Sequence, residues 1–555
     1  MNQAEFDTLH AVFVAVAAAN PDNAFLVVPK REGRDYDPDG REITYAQARA
    51  EIDRLIALYR DAGYGMGHRV ALLLENRPEH FLHLLAFSAL GISLVSINPE
   101  YAHDEMLYQM EHSDADLAVV RTKRIADVES VGKDRAKDGA PLPVVDGDAL
   151  PGELPRAPRP PRNEAPRPPR NEAPGRHTEL GLYYTSGTTG RPKGCVVTNH
   201  YFLVTGAGYL DALRSGDVTV EEGKERLYNP LPLYHVNACV ISFGGMLQSA
   251  NCQIQPDRFH PSTWWSELAQ TRATIFHYLG VVPPMLLNQP ESPDEKNHGI
   301  KWGLGAGIEP ALHAKFEARF GLPLYEGWGM TETGRVFAAS GEPRHIDTRA
   351  FGRPNKWMTG KIVDENDEEV PRGTPGELVV WTPGDDPRDG FFSGYLKNEE
   401  ATKESWKNGF FHTGDTVIQR DDDMFIFVDR SKNIIRRSGE NIAAAEIEAC
   451  LAADERVANI AVLAVPDELR EEEVMACIVA RDGGAADETL ADGLMDLALE
   501  KLSYFKAPGW WLFVDSLPTT GTQKVQKQQI FPQGTDPREQ PGVIDRRDRK
   551  KRPKR

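Results

Sequence analysis

Tyr184-Thr185-Ser186-Gly187-Thr188-Thr189-Gly190-Arg191-Pro192-Lys193-Gly194 holds three glycines, four Ser/Thr hydroxyls and a lysine within eleven residues, directly after an apolar run. Glycines let backbone N–H groups close on an anion, the hydroxyls add neutral donors, and Lys193 supplies charge, which is the combination a triphosphate site needs. It is not a Walker loop. Pro192 precedes Lys193 and Gly194 follows it, so the Gly-Lys-Ser/Thr ending is absent.

Outward from this loop, helical and strand periods alternate. Residues 43–60 carry apolar side chains at helical spacing, Arg69-Val-Ala-Leu-Leu-Leu reads as a buried strand, residues 81–90 as a helix and residues 93–97 as a second strand. The alternation predicts an α/β fold built on mainly parallel sheets. Between residues 352 and 428, short runs such as Glu377-Leu-Val-Val-Trp381 are separated by Gly, Pro and Asp turns and predict a small β-rich subdomain. The polar break Asp429-Arg-Ser-Lys-Asn433 opens a new α+β section. The expected organisation is a large multi-subdomain N-terminal domain over 1–430, a small mobile domain over 431–530 and a tail over 531–555. A Pro/Arg/Asn/Glu insertion spanning about 151–176, with the octapeptide 158–165 repeated at 166–173, is expected to be exposed and disordered. Eight Lys/Arg among the last ten residues predict a solvated basic tail.

Composition narrows the class. The chain has 555 residues, 40% hydrophobic and 26% charged, which are ordinary values for a globular enzyme, and no apolar stretch is long enough to span a bilayer. The apolar run 11–19 follows Glu5 and Asp7 rather than basic residues, so it reads as a buried helix and not as a leader. A net charge of −19 argues against nucleic-acid partners and requires any anionic ligand to find local cations. Five cysteines lie far apart without a Cys-x-x-Cys pair, which fits a reducing cytoplasm and no zinc site.

Five further segments appear downstream of the glycine loop. They are Pro232-Leu-Tyr-His-Val-Asn237, Tyr325-Glu-Gly-Trp-Gly-Met-Thr-Glu-Thr333, Phe411-His-Thr-Gly-Asp415, Asp429–Ile442 with its sequel Glu446-Ile-Glu448, and Pro518-Thr-Thr-Gly-Thr-Gln-Lys524. In this order they make the chain resemble the acyl-CoA synthetases of the adenylate-forming superfamily, from about residue 40 to about residue 530. The resemblance implies a carboxylate:CoA ligase. A carboxylate and Mg²⁺-ATP give acyl-AMP and pyrophosphate, and coenzyme A then takes the acyl group and releases AMP. The partners so implied are small molecules, and a homo-oligomer is compatible with the pattern.

Residue roles follow from the same resemblance. Thr185, Ser186, Gly187, Thr188, Thr189, Gly190 and Lys193 would hold the phosphates, and Gly305, Ala306 and Gly307 would line the adenine and acyl sites. In the Gly327–Glu332 segment, Trp328 would stack on adenine beside Gly329 and Met330, Thr331 would touch the α-phosphate, and Glu332 would ligate Mg²⁺ through its hard oxygens. Asp415 and Arg430 would grip the ribose. Lys524 would be the catalytic cation that lets a carboxylate approach the α-phosphate, since an ammonium offsets the repulsion between two anions. Lys432 would be a hinge, and Arg436, Arg437, Ser438 and Gly439 would receive coenzyme A.

The acyl pocket is expected among His235, Val236, Asn237, Val240, Phe243, Tyr278, Gly280, Gly305 and Met330, with His235 gating or orienting. Phe243, Tyr278, Trp328 and Met330 would block a long chain, so a small or medium aliphatic or aryl acid is expected. Gln523 stands where Gly is usual before the catalytic lysine, Asp429 where Gly is frequent and Asn433 where Asp is frequent. Two alternatives stay open: an adenylating enzyme that loads a carrier protein, and a nucleotide-binding regulator. Amino-acid activation is disfavoured because Tyr234-His235 replaces the Phe-Asp segment that anchors an ammonium. The regulator would predict loss of Lys524, Glu332 or Asp415, and all three are present.

Overall fold

Capping chemistry and apolar spacing account for the first elements. Thr44 caps the helix Tyr45–Ala62 by accepting from Gln47 N at 3.2 Å while Gln47 Oε1 accepts from Thr44 N at 2.9 Å, and Gly63 at φ 92° ends it. Ala48, Ile52, Leu55, Ile56 and Tyr59 form its buried stripe. The strand Arg69–Leu73 is instead buried at every position, as a parallel strand covered on both faces must be. The computed structural model describes residues 3–134, 141–158, 173–185, 191–214, 216–430, 434–481, 486–518, 525, 527–532 and 535–552. Ser186–Gly190, Lys432, Lys524 and most of the duplicated insertion therefore lie outside the described residues.

Two compact units emerge. One comprises Met1–Pro99, Met110–Tyr184 and Gly194–Asp429; the other comprises Glu100–Gln109, Thr185–Lys193 and Arg430–Arg555. The two short segments that join the second unit have no counterpart in a contiguous reading of the sequence.

In the first unit, one sheet runs in the order Val336–Ala338, Leu324–Gly329, Trp302–Gly305, Ile275–His277, Arg226–Tyr228, Cys252–Ile254, Ala24–Val28 and Arg41–Thr44. Its interior pairings are parallel and its two outermost pairings antiparallel. A second sheet centres on the parallel strands Ser93–Ser96, Arg69–Leu73 and Leu117–Val120. The β-rich subdomain is an antiparallel sheet including Ala350–Gly352, Phe425–Arg430, Phe410–Gln419, Gly376–Trp381 and Thr359–Val363. The apolar N-terminal run is the helix Leu9–Ala19, with Leu9, Val12, Phe13 and Val16 buried. Among the described residues no helix is long and apolar enough to cross a membrane, and all five cysteines are free.

The second unit is built on the long hairpin Val457–Asp467 and Glu471–Ala480, packed against the helices Ala444–Ala452 and Glu488–Lys501. Its core joins Ile435, Ile442 and Ile478 to Ile447, Leu494 and Met495.

The basic tail departs from the expectation of a solvated end. Ile544–Asp545 pairs antiparallel with Trp510–Phe513, extending the sheet by one short strand. Glu488, Asp492 and Asp496 recur every four residues and so share one face of their helix. Arg546 reaches Glu488 and Asp492 at 2.7 Å, and Arg549 reaches Asp492 at 3.1 Å. Arg547 lies over the Trp510 ring at 4.3 Å. The charge run is thus matched by an acidic helix face about fifty residues upstream in the chain.

Deepest in the tail is Lys550, whose side chain is fully buried against Glu473, a carboxylate already paired with Arg437 at 2.8 Å. Burial pulls the Lys550 ammonium down to about 7; Glu473 opposes this and Arg437 adds to it. The unfolded lysine holds its proton to about pH 10.4, so between these values the unfolded chain binds one more proton and stability rises with pH. In urea titrations of the full chain from pH 7.5 to 9.5, the wild type should gain on Lys550→Met by up to about 1.4 kcal/mol per pH unit. Parallel stability curves for the two proteins would reject this account.

Candidate active site

Strand Leu324–Gly329 carries the Gly-Trp-Gly motif to the edge of the large sheet, with Trp328 opposite Phe337 and Gly305 opposite Glu326. Trp328 lies on Phe337, ring centroids 5.7 Å apart, and donates from Nε1 to Asp415 Oδ2 at 2.8 Å. Two motifs 87 residues apart thereby become one locus. The Trp328 ring is nearly buried between Phe337 and Phe351, so it is built into the core and not held out as a free face.

Beyond Trp328 the chain turns and is pinned from three sides. Tyr201 Oη–H donates to the Thr331 carbonyl at 2.7 Å, Tyr395 Oη–H donates to Glu332 Oε1 at 2.8 Å, and Phe392 N–H donates to the Glu332 carbonyl at 2.9 Å. Tyr395 itself sits in the strand Gly394–Tyr395, which pairs with Cys195 and Val196 in the strand that leaves the glycine loop. The Glu332 carboxylate is therefore tied, through Tyr395, to the strand that carries Cys195 and Val196. Carboxylate oxygens such as these are the hard ligands that Mg²⁺ takes together with phosphates. Thr185 ends the strand Glu179–Thr185 and Lys193 opens the strand Lys193–Thr198. Arg430 ends the strand Phe425–Arg430.

Glu326 is the residue that sequence reading missed. It is buried, its Oε2 accepts from Gly307 N at 2.7 Å and Ile308 N at 3.3 Å, and its Oε1 accepts from the Tyr278 hydroxyl. The segment Gly305-Ala306-Gly307 is thus tied down by a carboxylate. It also needs its glycines, because a Cβ on Gly305 would meet Tyr278 atoms at 2.5 Å and Gly307 has φ +85°. Desolvation raises the Glu326 carboxyl to about 7 despite these donors. The legible signal was a glutamate in an otherwise apolar strand, since a buried carboxylate demands partners.

The predicted acyl-pocket residues divide into two groups. His235, Asn237 and Met330 keep accessible surface, while Val236, Val240, Phe243, Tyr278, Gly280 and Gly305 are buried. Phe243 stacks on Phe81 at 4.3 Å and contacts Phe25, and Val240 shares that core. Tyr278 is spent on Glu326. These three belong to the core, because aromatic and branched side chains with apolar neighbours pack there.

In the second unit, the strand Ile434–Arg437 sends consecutive side chains to opposite faces, so Arg436 is half-buried and Arg437 is sealed. The expectation that both arginines receive coenzyme A is corrected for Arg437, which is consumed by Glu473. Ser438 at φ +51° and Gly439 at φ +87° make the turn that follows. Glu446 and Glu448 of the adjoining motif pair with Lys506 at 2.8 Å and Lys527 at 2.7 Å and hold that unit together.

Residues 13–396 match the family described as AMP-binding enzyme, and residues 446–524 match the AMP-binding enzyme C-terminal domain. The chain belongs to the AMP-binding enzymes. A crotonobetaine/carnitine–CoA ligase of Proteus mirabilis is 28% identical to this AMP-binding enzyme over 510 residues, spanning 88% of this chain and 93% of that one. A sulfoacetate–CoA ligase of Cupriavidus necator is 28% identical over 537 residues, spanning 95% and 98%. In structure, an o-succinylbenzoate CoA synthetase from Bacillus subtilis aligns with a TM-score of 0.77 at 22% identity, covering 94% of this chain and 98% of that one. An amide bond synthetase from Marinactinospora thermotolerans aligns with a TM-score of 0.75 at 23% identity, covering 94% and 98%. The fold of this AMP-binding enzyme is that of these enzymes.

Burial raises the Glu326 carboxyl to about 7, and on protonation it loses the negative charge that strengthens its bonds to Gly307 N and Ile308 N, so its hold on the Gly305–Ile308 segment is expected to weaken below that pH. The AMP-binding enzyme should accordingly show a kcat/KM limb that rises with pH at an apparent pKa near 7, and Glu326→Gln should erase that limb. A limb unchanged in the variant would remove Glu326 from the loop's control.

Proposed function

We propose that this AMP-binding enzyme is a carboxylate:CoA ligase that works through an acyl-adenylate. The observation that carries the reading is the Trp328–Asp415 hydrogen bond, which gathers the nucleotide motifs into one place within a chain matched by the family at both ends. The CoA-ligase names of its relatives favour coenzyme A as the acyl acceptor.

In this reading Thr185, the glycine loop and Lys193 hold the phosphates, and Asp415 with Arg430 holds the ribose. The backbone around Gly329 and Met330 flanks the base, with Trp328 behind it, and Thr331 touches the α-phosphate. Glu332 would hold Mg²⁺, which when bound neutralises phosphate charge. A carboxylate oxygen attacks the α-phosphorus, the bond to the bridging oxygen breaks, and pyrophosphate leaves. Lys524, supplied from the C-terminal section, bridges the two anions as they meet, and a net charge of −19 makes such a local cation indispensable. The coenzyme A thiol then attacks the acyl carbon, giving up its proton, and AMP departs. Gly439 and Arg436 receive the thiol's carrier, Lys432 is the hinge between half-reactions, and His235 orients the acyl group. The activated anhydride must be kept from water between the steps, which is a reason to shield it in a closed site. The acid is read as small or medium, in keeping with the bulky Phe243, Tyr278, Trp328 and Met330 among the residues assigned to the base and acyl sites.

Carboxylate-dependent ATP–pyrophosphate exchange and CoA thioester formation without any carrier protein test the reading. Exchange without thioester would point to another acceptor and overturn it. Lys524→Ala should nearly abolish adenylate formation from acid and ATP, while thioester formation from preformed acyl-adenylate and CoA largely survives. Equal losses in the two half-reactions, measured separately, would strip Lys524 of its assigned role.

A further inference from the structure

Around Asn237 the interior is polar, and its hydrogen bonds have one self-consistent arrangement. Leu231 N–H donates to Asn229 Oδ1 at 3.0 Å, so Asn229 has only its NH₂ left to give. That group reaches Ser242 Oγ at 2.9 Å and Asn237 Oδ1 at 3.3 Å. Asn237 must then face inward with its carbonyl oxygen. His277 Nδ1 lies 2.9 Å from the same oxygen and must carry the hydrogen, so Nε2 is the acceptor for the Tyr209 hydroxyl at 2.8 Å. At 3.4 Å the Asn229 amide is too far from Nδ1 to compete for that tautomer. The chain of donors starts at a backbone N–H and ends by saturating Asn237 Oδ1.

What is left over is the Asn237 Nδ2 group. Asn229, Ser242, His277 and Tyr209 are sealed at 0–1% exposure, whereas Asn237 is half-buried and its amide nitrogen has no partner among the described residues. Asn237 also opens the π-helical turn Asn237–Ser242, a geometry frequent at functional sites. The backing network is neutral throughout: burial lowers His277 to about 3, and Gln253 closes the network by bonding the Ala238 carbonyl and Gln255. A fixed, unpaired donor facing an alkyl chain costs free energy, and a neutral one has nothing to offset a second anionic group.

We infer that Asn237 is a specificity-determining residue whose Nδ2–H donates to an uncharged oxygen, hydroxyl or oxo, carried on the chain of the carboxylate substrate. This rests on the acyl site proposed above beside His235 and Met330. The enzyme's acids are then hydroxy- or oxo-carboxylates in preference to plain alkanoates or dicarboxylates.

The test measures CoA-dependent AMP release by the full chain with butanoate, pentanoate and hexanoate. Each is compared with its hydroxy and oxo derivatives at every chain carbon and with the dicarboxylate of equal length. At least one oxygen-bearing acid should exceed its matched alkanoate in kcat/KM by about 10- to 100-fold. Asn237→Leu and Asn237→Asp, the second nearly isosteric but without the donor, should both bring that ratio close to one. Because each ratio is taken within a single protein preparation, a partly unfolded variant leaves it unchanged. A wild-type ratio near one, a ratio kept by both variants, or preference for a dicarboxylate would overturn the inference while leaving carboxylate-dependent turnover, and hence the ligase reading, in place. Failure of every carboxylate in ATP–pyrophosphate exchange would instead overturn the ligase reading and the inference with it.

Discussion

The hydrogen bond from Trp328 Nε1 to Asp415 Oδ2 is the constraint on which the first unit's chemistry turns. Trp328 lies next to the end of a strand of the large, mainly parallel sheet, and Asp415 lies in the antiparallel sheet of the β-rich subdomain. Their bond sets two architectures with different strand directions in register at one point. Phe337, Phe351 and Phe425 pack around that point as a mutual aromatic cluster, so the indole cannot swing away without opening the core. Glu332 and Thr331, a few residues further on, inherit their positions from this anchor and from Tyr201 and Tyr395.

The unit also stores polar groups in places where burial is expensive. Glu326 holds the glycine segment, and the Asn229–Asn237–His277–Tyr209 network fixes the Asn237 side chain. Apolar residues would serve packing at least as well, because a buried polar group costs free energy until it is satisfied. Their value lies in direction. A carboxylate with three donors, or an amide whose oxygen is saturated, can point only one way, and such directed groups give the surrounding backbone rigidity.

Much of the architecture was legible from local chemistry. The apolar spacing over residues 43–60 announces the helix Tyr45–Ala62, Arg69-Val-Ala-Leu-Leu reads as a buried strand, and the Gly, Pro and Asp turns after residue 352 mark the β-rich subdomain. Within the site, the Tyr325–Thr333 and Phe411–Asp415 segments could be read as partners because each carries nucleotide chemistry in a few consecutive residues. Reading failed where the partner was distant and unmarked. Arg437 looked like a basic contact for coenzyme A and is neutralised by Glu473; the arginines of the tail looked solvated and instead meet an acidic helix face. Phe243 and Tyr278 looked like pocket lining and are core.

The order of motifs, the α/β class and the need for a local cation in an acidic chain follow from the sequence by itself, because period, turn propensity and net charge belong to neighbouring residues or to the whole. Tertiary structure alone decided which charges are spent on each other, which aromatic rings are sealed in the core, and which end of the Asn237 amide is saturated. Those outcomes depend on groups tens to hundreds of positions apart being brought within about 3 Å, and at that range burial and hydrogen-bond direction, which no stretch of sequence carries, determine what a side chain can do.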